Sequence, residues 1–204
     1  MSRVRVAVLI SGRGSNLSAL IDAAKAPDYP AEIALVFSNR EDAGGLAVAR
    51  DAGIPTVVIS HKDFASREEF DAAIDAALRA AGITLIAEAG FMRIHSEWFV
   101  KRWEGRMINI HPSLLPAFPG IRVHQQALDA GVKVSGCTVH FMVPELDAGP
   151  IIAQAAVPVL PGDTVETLAA RILVEEHRMY PEALRKVAEG RVVLRDGKSF
   201  LPSP

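Results

Sequence analysis

An asparagine and a histidine stand two residues apart where an apolar segment ends, in residues 107–120 (MINIHPSLLPAFPG). Alternation along a β-strand would place Asn109 and His111 on one face, with Ile110 on the other. An amide and an imidazole that converge in this way could stabilise an oxyanion or move a proton. The alternative is a turn held by the Asn and His side chains, and the prolines that follow stiffen the backbone in either case.

A carboxylate that could serve this histidine lies in the segment Glu145-Leu146-Asp147, between two β-rich stretches. If Asp147 meets His111 in the folded chain, its charge would orient the imidazole and favour the protonated ring. The alternative is that Asp147 only shapes a turn, because turns commonly carry Asp. The sequence alone leaves open whether the two side chains meet.

A second polar segment, SGRGSN at residues 11–16, follows the first apolar run and opens a helical pattern. Ligands bind at this place in open α/β sheets, and the N–H groups of a helix N-terminus favour an anion. Leu17 stands where a dinucleotide fingerprint has its third glycine, and no Lys-Ser/Thr pair of a Walker loop follows. The segment therefore predicts a phosphate monoester site. The alternative is a tight turn with Ser15 or Asn16 as the helix cap.

Several other classes of chemistry lack their residues. The 204 residues include six histidines and one cysteine, Cys137, but neither HExxH nor a paired His–Cys spacing, so no metal site is predicted. No G-x-S-x-G segment supports a serine hydrolase, and a cysteine on a buried strand is usually inert. A single cysteine also excludes an intrachain disulfide, which fits a reducing cytoplasm.

The charge and the hydropathy of the chain limit the classes of partner that it is expected to bind. The formal net charge is -2 and no basic run occurs, which disfavours a nucleic-acid partner. No stretch approaches the roughly 18 apolar residues that a membrane span needs. We therefore expect a cytoplasmic protein that acts on small molecules, as a monomer or a homodimer.

The scaffold that positions these residues is predicted by short apolar runs that alternate with helical patterns in the first half. The predicted helices are SNLSALIDAAKA, GGLAVARDAG and residues 67–81. The predicted strands are RVAVLI, EIALVFS, TVVIS, TLIAEAG and RMINI. Strands that alternate with helices indicate right-handed βαβ units and a mostly parallel sheet.

The second half changes character. CTVHFMV and PIIAQAAVPV are β-rich and only ELDAGP separates them, which predicts antiparallel strands. A long helix is predicted over residues 164–190, interrupted at Tyr180-Pro181, and the tail GKSFLPSP is expected to fray. The predicted fold is α/β: a Rossmann-like open sheet, mostly parallel in the N-terminal half, with antiparallel strands added in the C-terminal half and helices on both faces.

Four motifs occur in a fixed order along the chain: SGRGSN at 11–16, AGFMRI at 89–94, INIHPSLLP at 108–116 and ELDAGP at 145–150. Together they resemble the phosphoribosylglycinamide formyltransferase family, folate-dependent enzymes of de novo purine synthesis, over nearly the whole chain. HPSLLP is shared with other 10-formyltetrahydrofolate enzymes, and SGRGSN narrows the resemblance to the glycinamide enzymes.

The resemblance implies a reaction in which 10-formyltetrahydrofolate, as co-substrate and without a metal, gives its formyl group to the amine of 5′-phosphoribosylglycinamide. The implied catalytic residues are Asn109, His111 and Asp147. The implied phosphoribosylglycinamide-binding residues are Gly14, Ser15, Asn16 and Glu176. The implied folate-binding residues are Arg67, Met92, Arg93, Ile94, His95, Asn109, Val143, Pro144, Glu145, Leu146 and Asp147.

The resemblance also implies a single domain over 1–204, with a phosphate-binding βαβ half at 1–110 and a catalytic loop and folate-binding half at 111–204. Glu88 and His95 stand where this family usually has apolar residues, so the pterin pocket is expected to differ in shape or affinity. The isomer of the Leu115-Pro116 bond is left open.

Three alternatives remain to be weighed. A methionyl-tRNA formyltransferase would be expected to carry a further, basic C-terminal domain, and a formyltetrahydrofolate hydrolase an N-terminal regulatory domain. This chain ends at Pro204, and its first predicted strand begins close to Met1. A non-catalytic phosphosugar-binding module would be expected to lack the Asn–His–Asp set, which is present here.

Overall fold

A computed structural model of the chain describes residues 3–200 and contains one large sheet. Its strands are β1 (Val4–Ile10), β2 (Ala31–Ser38), β3 (Thr56–Val58), β4 (Leu85–Glu88), β5 (Met107–His111), β6 (Val134–Phe141) and β7 (Ile151–Pro158). Their order is β3-β2-β1-β4-β5-β6-β7. Strands β1 to β5 are parallel, whereas β6 is antiparallel to β5 and to β7. The predicted fold class is confirmed.

The helices lie between these strands or follow them. They are α1 (Ser15–Ala24), α2 (Gly45–Asp51), α3 (Arg67–Ala80), α4 (Glu97–Arg102), α5 (Val123–Asp129) and α6 (Val165–Ala188). Ser66, Ser96 and Thr164 cap α3, α4 and α6 by accepting a backbone N–H of the first turn. Within residues 3–200, no helix has both the length and the apolar character that crossing a membrane requires.

Each face of the sheet has its own apolar core. One core includes side chains of α1, α2 and α6, and the other includes side chains of α3 and α4. Ile108 and Ile110 of β5 belong to the first core, and Met107 belongs to the second. Since side chains alternate along a strand, Asn109 and His111 share the face of Met107, as the sequence pattern predicts.

Two details of the C-terminal part differ from expectation. Helix α6 continues through Pro181, although proline removes one N–H from the helix ladder. The fully buried Tyr180 and Leu184 on either side anchor both halves to the core, and the Tyr29 hydroxyl donates to the Pro181 carbonyl at 2.7 Å. The tail is also ordered further than expected, because β8 (Val193–Arg195) pairs with β9 (Lys198–Phe200). Residues 201–204 of the predicted frayed tail lie outside the described residues.

Candidate active site

The end of β5 and the turn between β6 and β7 meet at one edge of the sheet. There the Nδ1 atom of His111 lies 3.6 Å from Oδ2 of Asp147, and both side chains are less than a tenth exposed. The same Oδ2 accepts the backbone N–H of Gly120 at 2.7 Å, which holds the carboxylate in place. Asp147 (φ 52°) and Phe118 (φ 55°) have left-handed backbones. The structure thus brings together the histidine and the carboxylate.

The loop after β5 determines which nitrogen of His111 is free. Nε2 lies 3.0 Å from the carbonyl oxygen of Phe118, which can only accept, so Nε2 carries a hydrogen. Ser113 donates to the Ala117 carbonyl at 2.6 Å and thereby closes this loop, in which the Leu115-Pro116 bond is cis. Nδ1 is left facing Asp147, so proton transfer by His111 would take place at this atom.

His140 is a site residue that the sequence pattern did not reveal. It pairs with Asn109 across β5 and β6. Its Nδ1–H donates to the Phe141 carbonyl at 2.9 Å, so Nε2 is free to accept from Nδ2 of Asn109 at 3.4 Å. Burial lowers the pKa of His140 and keeps the ring neutral. His140 therefore orients the Asn109 amide, and only the register of β5 against β6 could have shown this.

The start of α1 is built differently from the predicted cap. Gly14 is the N-cap, with a left-handed backbone (φ 81°), and no side chain caps the helix. Ser15 and Asn16 are instead the first helical residues, so the cap predicted at these positions is wrong. Glycine allows the chain to turn sharply into the helix without a capping side chain, and the first-turn N–H groups stay available to a ligand.

Asn16 and Glu176 are 160 positions apart in sequence and meet beside this turn. Nδ2 of Asn16 donates to Oε2 of Glu176 at 2.9 Å, while Oδ1 of Asn16 is buried without a partner among residues 3–200. Burial raises the pKa of Glu176, and the Asn16 hydrogen bond opposes that shift. A buried, unpaired amide oxygen beside free backbone N–H groups is suited to a ligand that carries both an anion and hydrogen-bond donors.

The close approach of α1 and α2 gives a prediction for Gly14. A Cβ at this position would lie 2.5 Å from the Gly45 Cα, and the backbone is left-handed. We expect Gly14→Ala to lower the free energy of unfolding by at least about 1–2 kcal/mol, measured by urea denaturation. Gly12→Ala is the matched control, because its added Cβ meets nothing within 4 Å. Equal stabilities of the two variants would contradict this account of the turn.

The residues that resemble folate-binding positions lie in three segments near this edge. Arg67 begins α3 and is exposed, and residues 143–147 form the turn that carries Asp147. Met92 and Ile94 are 70% and 56% exposed, unusually high for apolar side chains. The His95 side chain is only 1% exposed and points into the protein, so the structure does not place it on the surface with its neighbours.

Two further observations concern metal binding and the reactivity of the cysteine. Within residues 3–200, no three His, Cys, Asp or Glu side chains are grouped so that they could hold a metal ion. Burial raises the pKa of the Cys137 thiol to about 12, which makes this side chain a poor nucleophile at neutral pH.

Comparison with known proteins identifies the family. A family model described as formyl transferase matches residues 4–184. The chain is 57% identical over 191 residues to the trifunctional purine biosynthetic protein adenosine-3 of Gallus gallus, covering 94% of this chain and 19% of that protein. It is 43% identical over 198 residues to phosphoribosylglycinamide formyltransferase of Escherichia coli (strain K12), covering 97% of this chain and 93% of that protein.

A solved structure agrees with these matches. The crystal structure of glycinamide ribonucleotide transformylase 1 from Symbiobacterium toebii superposes with a TM-score of 0.95 at 49% identity, covering 98% of this chain and 95% of that one. The chain spans only 19% of the trifunctional relative, whereas its alignment with the bacterial relative extends along most of both proteins. The chain belongs to the formyl transferase family.

Proposed function

We propose that the protein transfers the formyl group of 10-formyltetrahydrofolate to the amine of 5′-phosphoribosylglycinamide, yielding phosphoribosyl-N-formylglycinamide and tetrahydrofolate. This is a step of purine (IMP) biosynthesis. The observation that carries the proposal is the approach of His111, the last residue of β5, to Asp147 at 3.6 Å, with Asn109 two residues earlier on the same face of that strand. The names of the bacterial relatives support it.

The chemistry follows from which atoms are free. The amine nitrogen attacks the formyl carbon, and the formyl oxygen becomes an oxyanion. Asn109 Nδ2–H and a protonated His111 Nδ1–H supply two donors for that oxygen, because Nε2 of His111 is already used by Phe118. The Asp147 carboxylate, 3.6 Å from Nδ1, orients the ring.

Collapse of this tetrahedral species completes the transfer. The bond from the formyl carbon to the folate nitrogen breaks, the amine nitrogen loses a proton, and the folate nitrogen gains one. The formyl group passes directly between the substrates, so no acyl-enzyme on Ser or Cys is required. The role of His111 is to hold or pass a proton at Nδ1 while its ring stays anchored through Nε2.

The acceptor phosphate would bind at the start of α1. Gly14, Ser15 and Asn16 offer backbone and side-chain donors there, and the helix N-terminus favours an anion. Glu176, which Asn16 holds in place, would contact the ribose or glycinamide part. The unpaired Oδ1 of Asn16 supports the contact with the ribose or glycinamide part, because those groups carry the hydroxyl or N–H donor that the described residues do not supply to this oxygen.

The donor would bind on the opposite side of Asn109. Arg67 and the segments 92–95 and 143–147 are the proposed folate-binding residues, with exposed Met92 and Ile94 as apolar contacts for the pterin. In this assignment one domain has a phosphate-binding half over 1–110 and a catalytic and folate-binding half over 111–204. Both substrates are small molecules, no metal takes part, and the protein acts in the cytoplasm as a monomer or homodimer.

The phosphate assignment predicts a selective effect on the acceptor. Replacing both Ser15 and Asn16 by alanine is expected to raise the acceptor KM at least about tenfold, because two hydrogen bonds to a charged group contribute about 1.5–3 kcal/mol each. Steady-state kinetics with each substrate varied in turn measures the effect. The donor KM should change little, and an equal rise in both KM values would show that the loop does not bind the phosphate.

The reaction itself is tested by incubating purified protein with each substrate alone and with both together. Release of tetrahydrofolate only when both are present is the expected result. Release from the donor alone would indicate a formyltetrahydrofolate hydrolase. Tight binding of the acceptor without any release would indicate a phosphosugar-binding module.

A further inference from the structure

Glu88 and His95, which stand where the resemblance implies apolar residues, are in contact, and His95 also contacts Asp71. Nε2 of His95 lies 2.7 Å from Oε1 of Glu88, and Nδ1 lies 2.8 Å from Oδ1 of Asp71. The three side chains are 1%, 4% and 1% exposed for His95, Glu88 and Asp71. We call these three residues the buried cluster. The His95 side chain is buried although its segment is proposed to bind the folate, and Glu88 and Asp71 have no role in the chemistry proposed above.

Geometry determines the charge of the ring. A carboxylate oxygen can only accept, so a ring with a carboxylate at each nitrogen must donate from both and is an imidazolium. Burial opposes this charge, but Glu88 and Asp71 outweigh burial and raise the pKa of His95 to about 9. The faces of the ring are covered by Phe91 and Phe99, whose centroids are 5.2 Å and 4.5 Å away.

The cluster fastens one end of the segment 89–96. Asp71 in α3 also accepts the Ser96 backbone N–H through Oδ2, at 2.5 Å. Glu88 ends β4, pairs with Asn109 of β5, and its carbonyl accepts the Tyr180 hydroxyl at 2.7 Å. The His95 side chain therefore joins the segment to a strand and a helix that are themselves fixed.

Ser11 fastens the other end. Its N–H donates to the Gly90 carbonyl at 3.1 Å, and its hydroxyl accepts the Met92 N–H at 2.8 Å. The exposed residues 92–94 are thus held between two attachment points, one next to the acceptor loop and the other at the buried cluster. A short segment tied at both ends presents its apolar side chains in one arrangement, which reduces the entropy lost on binding a ligand.

We propose that Glu88, His95 and Asp71 are positioning residues that hold the segment 92–94 in the conformation that binds the donor. This role rests on the proposed function, since it assigns that segment to the folate. The cluster acts from behind the segment and does not touch the reacting atoms. The support is ionic, so removal of one member leaves the charges of the others buried without their partner.

Because the buried charges depend on one another, a second substitution should partly restore the donor binding that the first one impairs. His95→Leu leaves two buried carboxylates without a cation, and we expect the donor KM to rise at least about tenfold while the acceptor KM stays within about twofold. Adding Glu88→Leu removes one of those carboxylates, and Asp71 keeps the Ser96 N–H. The double variant should therefore bind the donor better than His95→Leu alone. A double variant as impaired as the single one would overturn the proposal.

The pH dependence is a second readout. In residues 3–200, the charged groups that face the ring are Glu88 from β4 and Asp71 from α3. Because the folded pKa of His95 lies above the usual value, its stabilising effect is complete below about pH 6.5 and is lost as pH rises through about 9. Folate binding, measured by calorimetry with the product tetrahydrofolate as the probe, should weaken over this range in the unmodified protein and much less in the double variant.

Two controls distinguish a failure of this proposal from a variant that does not fold and from a failure of the proposed function. If His95→Leu does not fold, an NMR titration of the His95 ring in Glu88→Leu replaces it, and the pKa should fall because one carboxylate is gone. An unchanged pKa would contradict the cluster. Urea unfolding at neutral and alkaline pH needs no substrate, so it tests the cluster even if no formyl transfer occurs. A purely structural cluster would lower stability without changing the donor KM relative to the acceptor KM.

Discussion

Replacing His111 by alanine is expected to lower kcat by roughly 10²–10⁴-fold, the usual contribution of a general acid–base group. Phe118 occupies Nε2 of His111, which leaves Nδ1 free at 3.6 Å from Oδ2 of Asp147. The stability of the variant should change far less than its rate. Single-turnover kinetics separates the loss in the chemical step from any change in substrate binding or product release.

Substitution of Asp147 is the control for this prediction. If the carboxylate acts only through His111, Asp147→Asn should be severe alone, yet the double variant should be little slower than His111→Ala. Fully multiplicative losses in the double variant would show that Asp147 does not act through His111 and is an ordinary turn residue.

Removing the amide of Asn109 should have the second largest effect. Loss of one hydrogen-bond donor to an oxyanion typically lowers kcat by about 10²–10³-fold. We expect Asn109→Ala to lower kcat by an amount in that range. Both KM values should change much less than kcat, because the Asn109 amide is needed mainly when charge develops on the formyl oxygen. Steady-state kinetics with both substrates varied would measure these parameters.

His140 is the matched comparison for Asn109. It accepts from the Asn109 amide and acts through that residue, so His140→Ala should lower kcat less than Asn109→Ala does. Combining the two substitutions should add little to the loss from Asn109→Ala alone. A double variant whose losses multiply would show that His140 contributes to catalysis independently of the amide.

The sequence predicted the features that depend on local spacing. Strand alternation was enough to place Asn109 and His111 on one face, and the short turn between two β-rich stretches was enough to indicate an antiparallel pair. Helix α6 was predicted with an interruption because proline disfavours helix interiors, but the burial of Tyr180 and Leu184 outweighs that preference.

The features that were missed depend on contacts between distant residues. His140 lies beside Asn109 only because of the register of two antiparallel strands. Glu88 was expected to alter the pterin pocket, but the sequence could not show that Glu88 of β4 and Asp71 of α3 lie on either side of the His95 ring. Such long-range pairs are determined by packing in three dimensions, and no spacing along the chain reports them.

The left-handed backbones of Phe118 and Asp147 are strained and lower the stability of the protein. A residue in this conformation is strained by roughly 1–3 kcal/mol, and a bulky side chain such as Phe rarely adopts it. Yet the Phe118 carbonyl anchors His111, and Asp147 supplies the carboxylate. Glycine at position 118 would relax the backbone and keep the carbonyl, whereas glycine at position 147 would relax the turn and remove the carboxylate. Activity and stability are therefore opposed at Asp147, and a substitution selected there only for thermal resistance would tend to remove the chemistry.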